Sequence, residues 1–120
     1  MVNIFIKAEG ATGIWFEVVN DVGRCLLQSG RFKTICRVET ALAALWDVAA
    51  EPDAALLGGS AGKVHLASAR RLRRVPLHGE VTLADLHEAL ADIPRACVTD
   101  KRQKERRRTD LTGPMHLLAH

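Results

Sequence analysis

The sequence predicts an α+β fold, in which an antiparallel three-stranded meander carries a packed helix and is extended by a second strand–helix segment. Three observations support it: short segments rich in β-branched and aromatic residues before residue 30, glycine-bearing turns between them, and apolar residues at helical spacing over 34–51. Tight turns imply antiparallel neighbours, because parallel strands need long crossovers. A chain of 120 residues suits one domain with one modest core.

The three predicted strands cover residues 2–8, 14–19 and 24–29. Side chains alternate between the two faces of a strand. The residues that this alternation turns toward the core are Ile4, Ile6, Ile14, Phe16, Val18, Cys25 and Leu27. Trp15 and Leu26 fall on the opposite faces. Either that face is partly covered, or these two residues form an apolar contact surface.

The first predicted helix covers residues 34–51. Thr34 is the expected N-cap, and Pro52 lies just beyond the end. Gly30 ends the third strand, and Phe32 is expected to fold back under the helix. The apolar stripe consists of Ile35, Val38, Leu42, Leu45, Trp46 and Ala49.

The second half begins with a glycine-rich stretch, residues 53–62, which is expected to be a linker or loop. A fourth strand is predicted at 63–69 and an extended edge segment at 73–81, because Pro76 disfavours a central strand. We expect residues 63–94 to pack on the same core as the first half.

The second predicted helix covers residues 81–94. Thr82 caps it, with Asp85 in the capping-box position. Its expected apolar stripe consists of Leu83, Leu86 and Leu90. Residues 95–120 are expected to form a basic helix or a flexible tail.

A short pattern in the first half resembles a known family. Its parts are Phe16-Glu17-Val18-Val19, the turn from Asn20 to Gly23, Leu26 to Ser29, Phe32-Lys33-Thr34 and Ala41-Leu42. This looks like the YegP-like family, small bacterial domains of unknown function built from β-β-β-α repeats. The resemblance covers about residues 3–50 and implies that 1–52 form one such unit.

The sequence also departs from that family. The family usually has Tyr where Phe32 stands, and a Gly-Ile step where Ala41-Leu42 stands. Many members carry two tandem copies, whereas residues 63–94 do not visibly repeat the motif. A diverged second repeat is therefore left open. The resemblance implies no catalytic residues.

Positive charge is concentrated near the end of the chain. Residues 95–120 hold seven Lys/Arg against three Asp/Glu. Dense cationic runs bind phosphates, although many are only solvated surface. The candidate residues for binding nucleic acid or another polyanion are Arg70, Arg71, Arg73, Arg74, Lys101, Arg102, Lys104, Arg106, Arg107 and Arg108. Aromatic residues make up only 4 % of the chain, which disfavours a stacking-type binder.

No residue pattern predicts catalysis, a metal or a cofactor. Three cysteines without a CxxC pair fit a reducing cytoplasm, and no apolar run is long enough to cross a membrane. Cys97, His87 and either Asp85 or Asp92 could form a nucleophile, its base and an orienting acid, but nothing in their spacing requires such a set. His116 and His120 have helical spacing but no further ligand nearby.

These observations favour a small, non-enzymatic, cytoplasmic binding module of bacterial or phage type. Its partner is expected to be another protein, as for an accessory or inhibitor protein, or a second copy in a homodimer joined through Trp15 and Leu26. The alternative is a nucleic-acid-binding regulator that uses the basic clusters at 70–74 and 101–108.

Overall fold

The computed structural model describes residues 1–10, 13–58, 64–70 and 73–102. Two helices, one 3-10 turn and seven strands follow one another in these residues. In chain order they are β1 (Asn3–Glu9), β2 (Gly13–Val19), β3 (Cys25–Gln28), α1 (Ile35–Ala49), β4 (Ala55–Gly58), β5 (Val64–Ala67), β6 (Arg74–Leu77), α2 (Leu83–Asp92), the 3-10 turn (Ile93–Arg95) and β7 (Cys97–Asp100).

The strands form two sheets. The first sheet has the order β3-β2-β1-β7, with β7 parallel to β1 and the other neighbours antiparallel. The second sheet has the order β4-β5-β6 and is antiparallel throughout. The predicted α+β fold, with a three-stranded meander followed by a helix, is confirmed. Across the described ranges, no helix is long and apolar enough to span a membrane.

The two sheets meet where the chain leaves β3. Gly30 N donates to the Pro76 carbonyl at 2.9 Å, and His78 N donates to the Gln28 carbonyl at 2.8 Å. Through these bonds, the residues that follow β3 pair with β6. Pro76 is compatible with this pairing because it contributes its carbonyl, which accepts the hydrogen bond from Gly30 N, and not an N–H, which proline lacks.

Two segments differ from the sequence expectation. Residues 53–62, expected as a linker or loop, contain strand β4 at Ala55–Gly58. The start of the expected basic helix or tail is strand β7 at Cys97–Asp100, followed by Lys101 and Arg102 in helical conformation, the last of the described residues. Both strands are four residues long; β4 pairs with the next strand, β5, whereas β7 pairs with β1 at the other end of the described residues. The order β4-β5-β6-α2 repeats β1-β2-β3-α1 although the sequence motif does not recur.

One hydrophobic core joins both halves. Buried residues of the first sheet and of α1 form a single cluster with Leu66 of β5, Val75 of β6 and Ile93 after α2. Within α1, the predicted stripe is buried or half-buried. Leu83 does not follow the predicted stripe of α2: it is 68 % exposed, whereas Leu86 and Ala89 are buried in the core.

A β-bulge changes which side chains of β3 point into the core. Val18 pairs with Leu27 and Val19 pairs with Cys25, so Leu26 is an extra residue on β3. Because the bulge interrupts the alternation, Leu26 and Leu27 are both buried, whereas Cys25 is exposed. The predicted inward position of Cys25 and outward position of Leu26 are therefore wrong.

Both predicted helix caps are present. The Thr34 hydroxyl accepts from Arg37 N at 3.2 Å, and the Thr82 hydroxyl accepts from Asp85 N at 3.1 Å. The Asp85 carboxylate also accepts from the Arg24 guanidinium at 2.9 Å. This ion pair ties the start of α2 to the turn before β3.

Candidate binding surface

The outer face of the first sheet, turned away from the helices, carries aromatic and charged side chains. Strand alternation brings Phe5 and Lys7 of β1 beside Trp15 and Glu17 of β2. They line a groove of about 680 Å³, which we call the outer-face groove. Lys101 and Arg102, directly after β7, also line it. A sheet face, two aromatic rings and three cations thus border one concavity.

Each ring in the outer-face groove is covered by a cation. The Arg31 guanidinium lies 3.7 Å from the centroid of the Trp15 ring, and Lys101 Nζ lies 4.6 Å from that of Phe5. Trp15 is only 7 % exposed as a result, and Leu26 is a core residue at 3 %. The contact surface expected from Trp15 and Leu26 is therefore not an exposed apolar patch.

Glu17 anchors the centre of this face. Its carboxylate accepts a hydrogen bond from Trp15 Nε1 at 3.0 Å and pairs with Lys7 Nζ at 3.0 Å. Burial acts to raise the pKa of Glu17, but the hydrogen bonds from Trp15 and Lys7 outweigh it and hold the pKa below its usual value. The carboxylate therefore stays ionised and fixes the indole. Burial, followed by the charge of Glu17, raises the pKa of the nearby Cys25 thiol.

A second groove, the corner groove, adjoins the first. It has a volume of about 650 Å³, and its cations are Arg31, Lys33 and Arg102. It forms because Ile14 and Phe32 pair through their backbones, at 2.9 Å and 2.7 Å, just beyond β3. Arg102 lines both the outer-face groove and the corner groove.

A third groove, the helix groove, lies along α1 and β6 and has a volume of about 590 Å³. Its apolar lining includes Phe32, which also lines the corner groove. Its cations are Arg37, Arg73 and Arg74. Arg73 pairs with Asp47 at 3.3 Å. No carboxylate belongs to the lining among the described residues.

Shared residues join the three grooves into one surface, the cationic band. Eight cations and two carboxylates, Glu9 and Glu17, line it within the described ranges. The cations are Lys7, Arg31, Lys33, Arg37, Arg73, Arg74, Lys101 and Arg102. Four acids instead gather where the turn after β2 meets α2, and none of them lines the band. They are Asp21, Asp85, Glu88 and Asp92.

The predicted basic clusters are only partly brought together. Arg73 and Arg74 line the helix groove, and Lys101 and Arg102 line the outer-face groove. Arg70 is exposed and lines none of the three grooves. Five predicted residues lie outside the described residues: Arg71, Lys104, Arg106, Arg107 and Arg108.

Half of the cations of the band were not among the candidate residues chosen from the sequence. Arg31 and Lys33 flank Phe32 of the family-like motif, and Arg37 lies in the first turn of α1. Lys7 alternates with core residues of β1. The available signal was the motif itself, whose aromatic residue has a basic residue on each side.

The other chemical alternatives do not assemble within the described ranges. No group of three potential metal ligands occurs there. His87 and Cys97 are both exposed, and Asp85 is engaged by Arg24. His116 and His120 lie outside the described residues.

Comparison with solved structures supports the resemblance first seen in the motif. The solution structure of YegP from E. coli, a protein of unknown function, superposes with a TM-score of 0.53 at 14 % identity, covering 82 % of this chain and 91 % of that one. The chain shares the YegP fold. A UPF0339 protein from Shewanella oneidensis also superposes, with a TM-score of 0.58 at 11 % identity. The superposition covers 82 % of this chain and 90 % of the Shewanella chain. No family model and no curated protein matches the sequence.

The YegP likeness extends beyond the half that carries the motif. The motif spans about residues 3–50, whereas the superposition covers 82 % of the chain. At these identities the likeness concerns the fold.

Proposed function

We propose that this chain is a small, non-enzymatic nucleic-acid-binding module that uses the cationic band. The observation that carries the proposal is the lining of three connected grooves by eight cations against two carboxylates, within the described residues. Such a surface neutralises phosphates and releases their counterions, which favours binding irrespective of sequence.

Several of these cations remain available to a ligand. Lys33, Arg37 and Arg74 have no ion pair within the described ranges. Arg31 and Lys101 rest on aromatic rings, so their N–H groups are not committed to a carboxylate. Guanidinium groups suit this task because they hold phosphate oxygens with two parallel hydrogen bonds.

Salt-dependent binding tests the proposal. Fluorescence anisotropy with a labelled DNA duplex and a labelled single strand, at several NaCl concentrations, gives the slope of log K against log salt. The double variant Arg37→Ala/Arg74→Ala should weaken binding and reduce the magnitude of the slope by about 1.4–1.8, since each of the two lost phosphate contacts contributes roughly 0.7–0.9.

The matched control is Arg70→Ala/Arg95→Ala, which removes the same charge from exposed positions outside the band. It should leave most of the slope intact. If both variants lost the same part of the salt slope, the effect would depend on net charge alone. No binding to either DNA at low salt would refute the proposed function.

A second candidate is self-association or binding of a protein strand, favoured by the two edge strands. Leu57 on β4 is 46 % exposed and Val98 on β7 is 44 % exposed. Each of these strands pairs on one side only within the described ranges, and an open edge can pair with another chain. Sedimentation velocity over a hundredfold concentration range distinguishes a monomer from the homodimer that self-association requires.

A further inference from the structure

We propose that the outer-face groove binds nucleotide units of single-stranded nucleic acid, with bases stacked on Phe5 and Trp15 and phosphates held by Arg31 and Lys101. This inference rests on the proposed function and adds the class of nucleic acid. The low aromatic content made a stacking binder unexpected. The structure nevertheless brings two of the chain's five aromatic residues onto the outer face of the first sheet.

The two rings are arranged for successive bases. Phe5 lies opposite Glu17 and Lys7 lies opposite Trp15, so Phe5 and Trp15 are diagonal neighbours on adjacent strands. Diagonal side chains on one face are roughly 7–8 Å apart. An extended single strand lying across β1 and β2 can therefore present one base to each ring.

The cations over the rings occupy the positions that bases would take. Arg31 over Trp15 and Lys101 over Phe5 are held by cation–π contacts, and Arg31 itself is exposed. Base stacking on an aromatic ring matches or exceeds a cation–π contact in strength. A base can thus displace each cation, and the released cation lies beside the phosphate that arrives with the base.

The same geometry favours single strands over duplexes. In a duplex the base faces are covered by stacking, so only phosphate contacts remain for the cationic band. A single strand offers both its bases and its phosphates. Because Glu17 fixes the Trp15 indole through Nε1, the ring is held in orientation before the ligand arrives.

Trp15 provides its own optical signal for the test. The chain has two tryptophans, and Trp46→Phe leaves Trp15 as the single tryptophan, so that tryptophan fluorescence reports on Trp15. The full chain carrying this change is titrated with a ten-nucleotide oligo-dT, with a duplex of equal length and with dTMP. We expect oligo-dT to quench Trp15 and to bind at least about tenfold more tightly than dTMP, because a strand joins several contacts.

A second substitution tests the stacking contact directly. Phe5→Leu keeps an apolar side chain but removes the ring, and should weaken oligo-dT binding by about tenfold while leaving duplex binding within about twofold. Leu83→Ala, at an exposed position on α2 that lines none of the three grooves, is the control and should not change Trp15 quenching. Circular dichroism confirms that each variant is folded, and Lys101→Ala gives an independent variant of the same groove.

The outcomes separate the inference from the proposed function. Binding that depends on Arg37 and Arg74 but neither quenches Trp15 nor responds to Phe5→Leu overturns the inference and keeps the proposed function. Equal quenching by duplex and single strand, or equal affinity for dTMP and oligo-dT, also overturns it. If no nucleic acid binds at low salt, both fail.

Discussion

Ser29 shows how one residue of the family-like motif acts. It is 1 % exposed, and its hydroxyl accepts from Phe16 N at 2.9 Å while donating to the Gly30 carbonyl at 2.9 Å. Its own N–H donates to the Phe16 carbonyl at 2.9 Å. The hydroxyl thus satisfies a buried donor on β2 at the point where the chain leaves β3.

Ser29→Ala should therefore lower the free energy of unfolding by about 1–3 kcal/mol, because the Phe16 N–H loses its acceptor in the core. Urea denaturation followed by circular dichroism measures the change. Thr40→Ala removes an exposed hydroxyl that donates to the Cys36 carbonyl, and should stay within about 0.5 kcal/mol of the parent. A Ser29→Ala variant as stable as Thr40→Ala would contradict this role.

At the scale of elements, the start of β2 positions the segment that follows β3. Gly13 has φ +115°, and a Cβ added there would lie 2.9 Å from the Phe32 carbonyl oxygen. This close approach lets Phe32 pair with Ile14. The segment then runs along β2, with Arg31 over Trp15 and Lys33 in the corner groove.

Gly13→Ala should destabilise the protein by about 2 kcal/mol or more, since the residue would be both strained and in contact with a backbone atom. Gly23→Ala is the control, because Gly23 has φ +85° but open space around its Cβ position. It should cost about 1 kcal/mol. Thermal unfolding of both variants compares them. Equal costs would mean that the approach of Phe32 imposes no constraint.

At the scale of the whole molecule, the two β-β-β-α halves share one core and one line of backbone pairing. Leu66 and Val75 of the second sheet belong to the same cluster as Ile4 and Phe16 of the first. The bonds from Gly30 to Pro76 and from His78 to Gln28 join the sheets directly. We therefore expect the halves to unfold together.

Leu66→Ala tests this coupling, because Leu66 is fully buried in the second sheet whereas Trp15 reports on the first. In the Trp46→Phe background, the substitution should cost about 2–5 kcal/mol by both Trp15 fluorescence and circular dichroism. Leu57→Ala, at an exposed position on β4, should change little. An unshifted Trp15 transition beside a shifted circular dichroism transition would show that the halves unfold independently.

Local patterns in the sequence were sufficient for the larger elements. The three- and four-residue spacing of apolar side chains predicted α1 and α2, and Thr34 and Thr82 predicted their starts. Glycine turns predicted the antiparallel meander, because a tight turn leaves few other arrangements. Each of these features depends on residues that are close together in the chain.

Features that depend on how strands pair and pack could be read only from the tertiary structure. Strands β4 and β7 are too short to be recognised without the neighbours they pair with, and the bulge at Leu26 follows from its register with β2. The cationic band joins cations from position 7 to position 102. The sequence by itself determined the helices, the meander and the abundance of positive charge, because these follow from short-range spacing and composition. Only the tertiary structure decided which cations share a surface and which aromatic rings lie beneath them, because packing brings together residues that the chain keeps far apart.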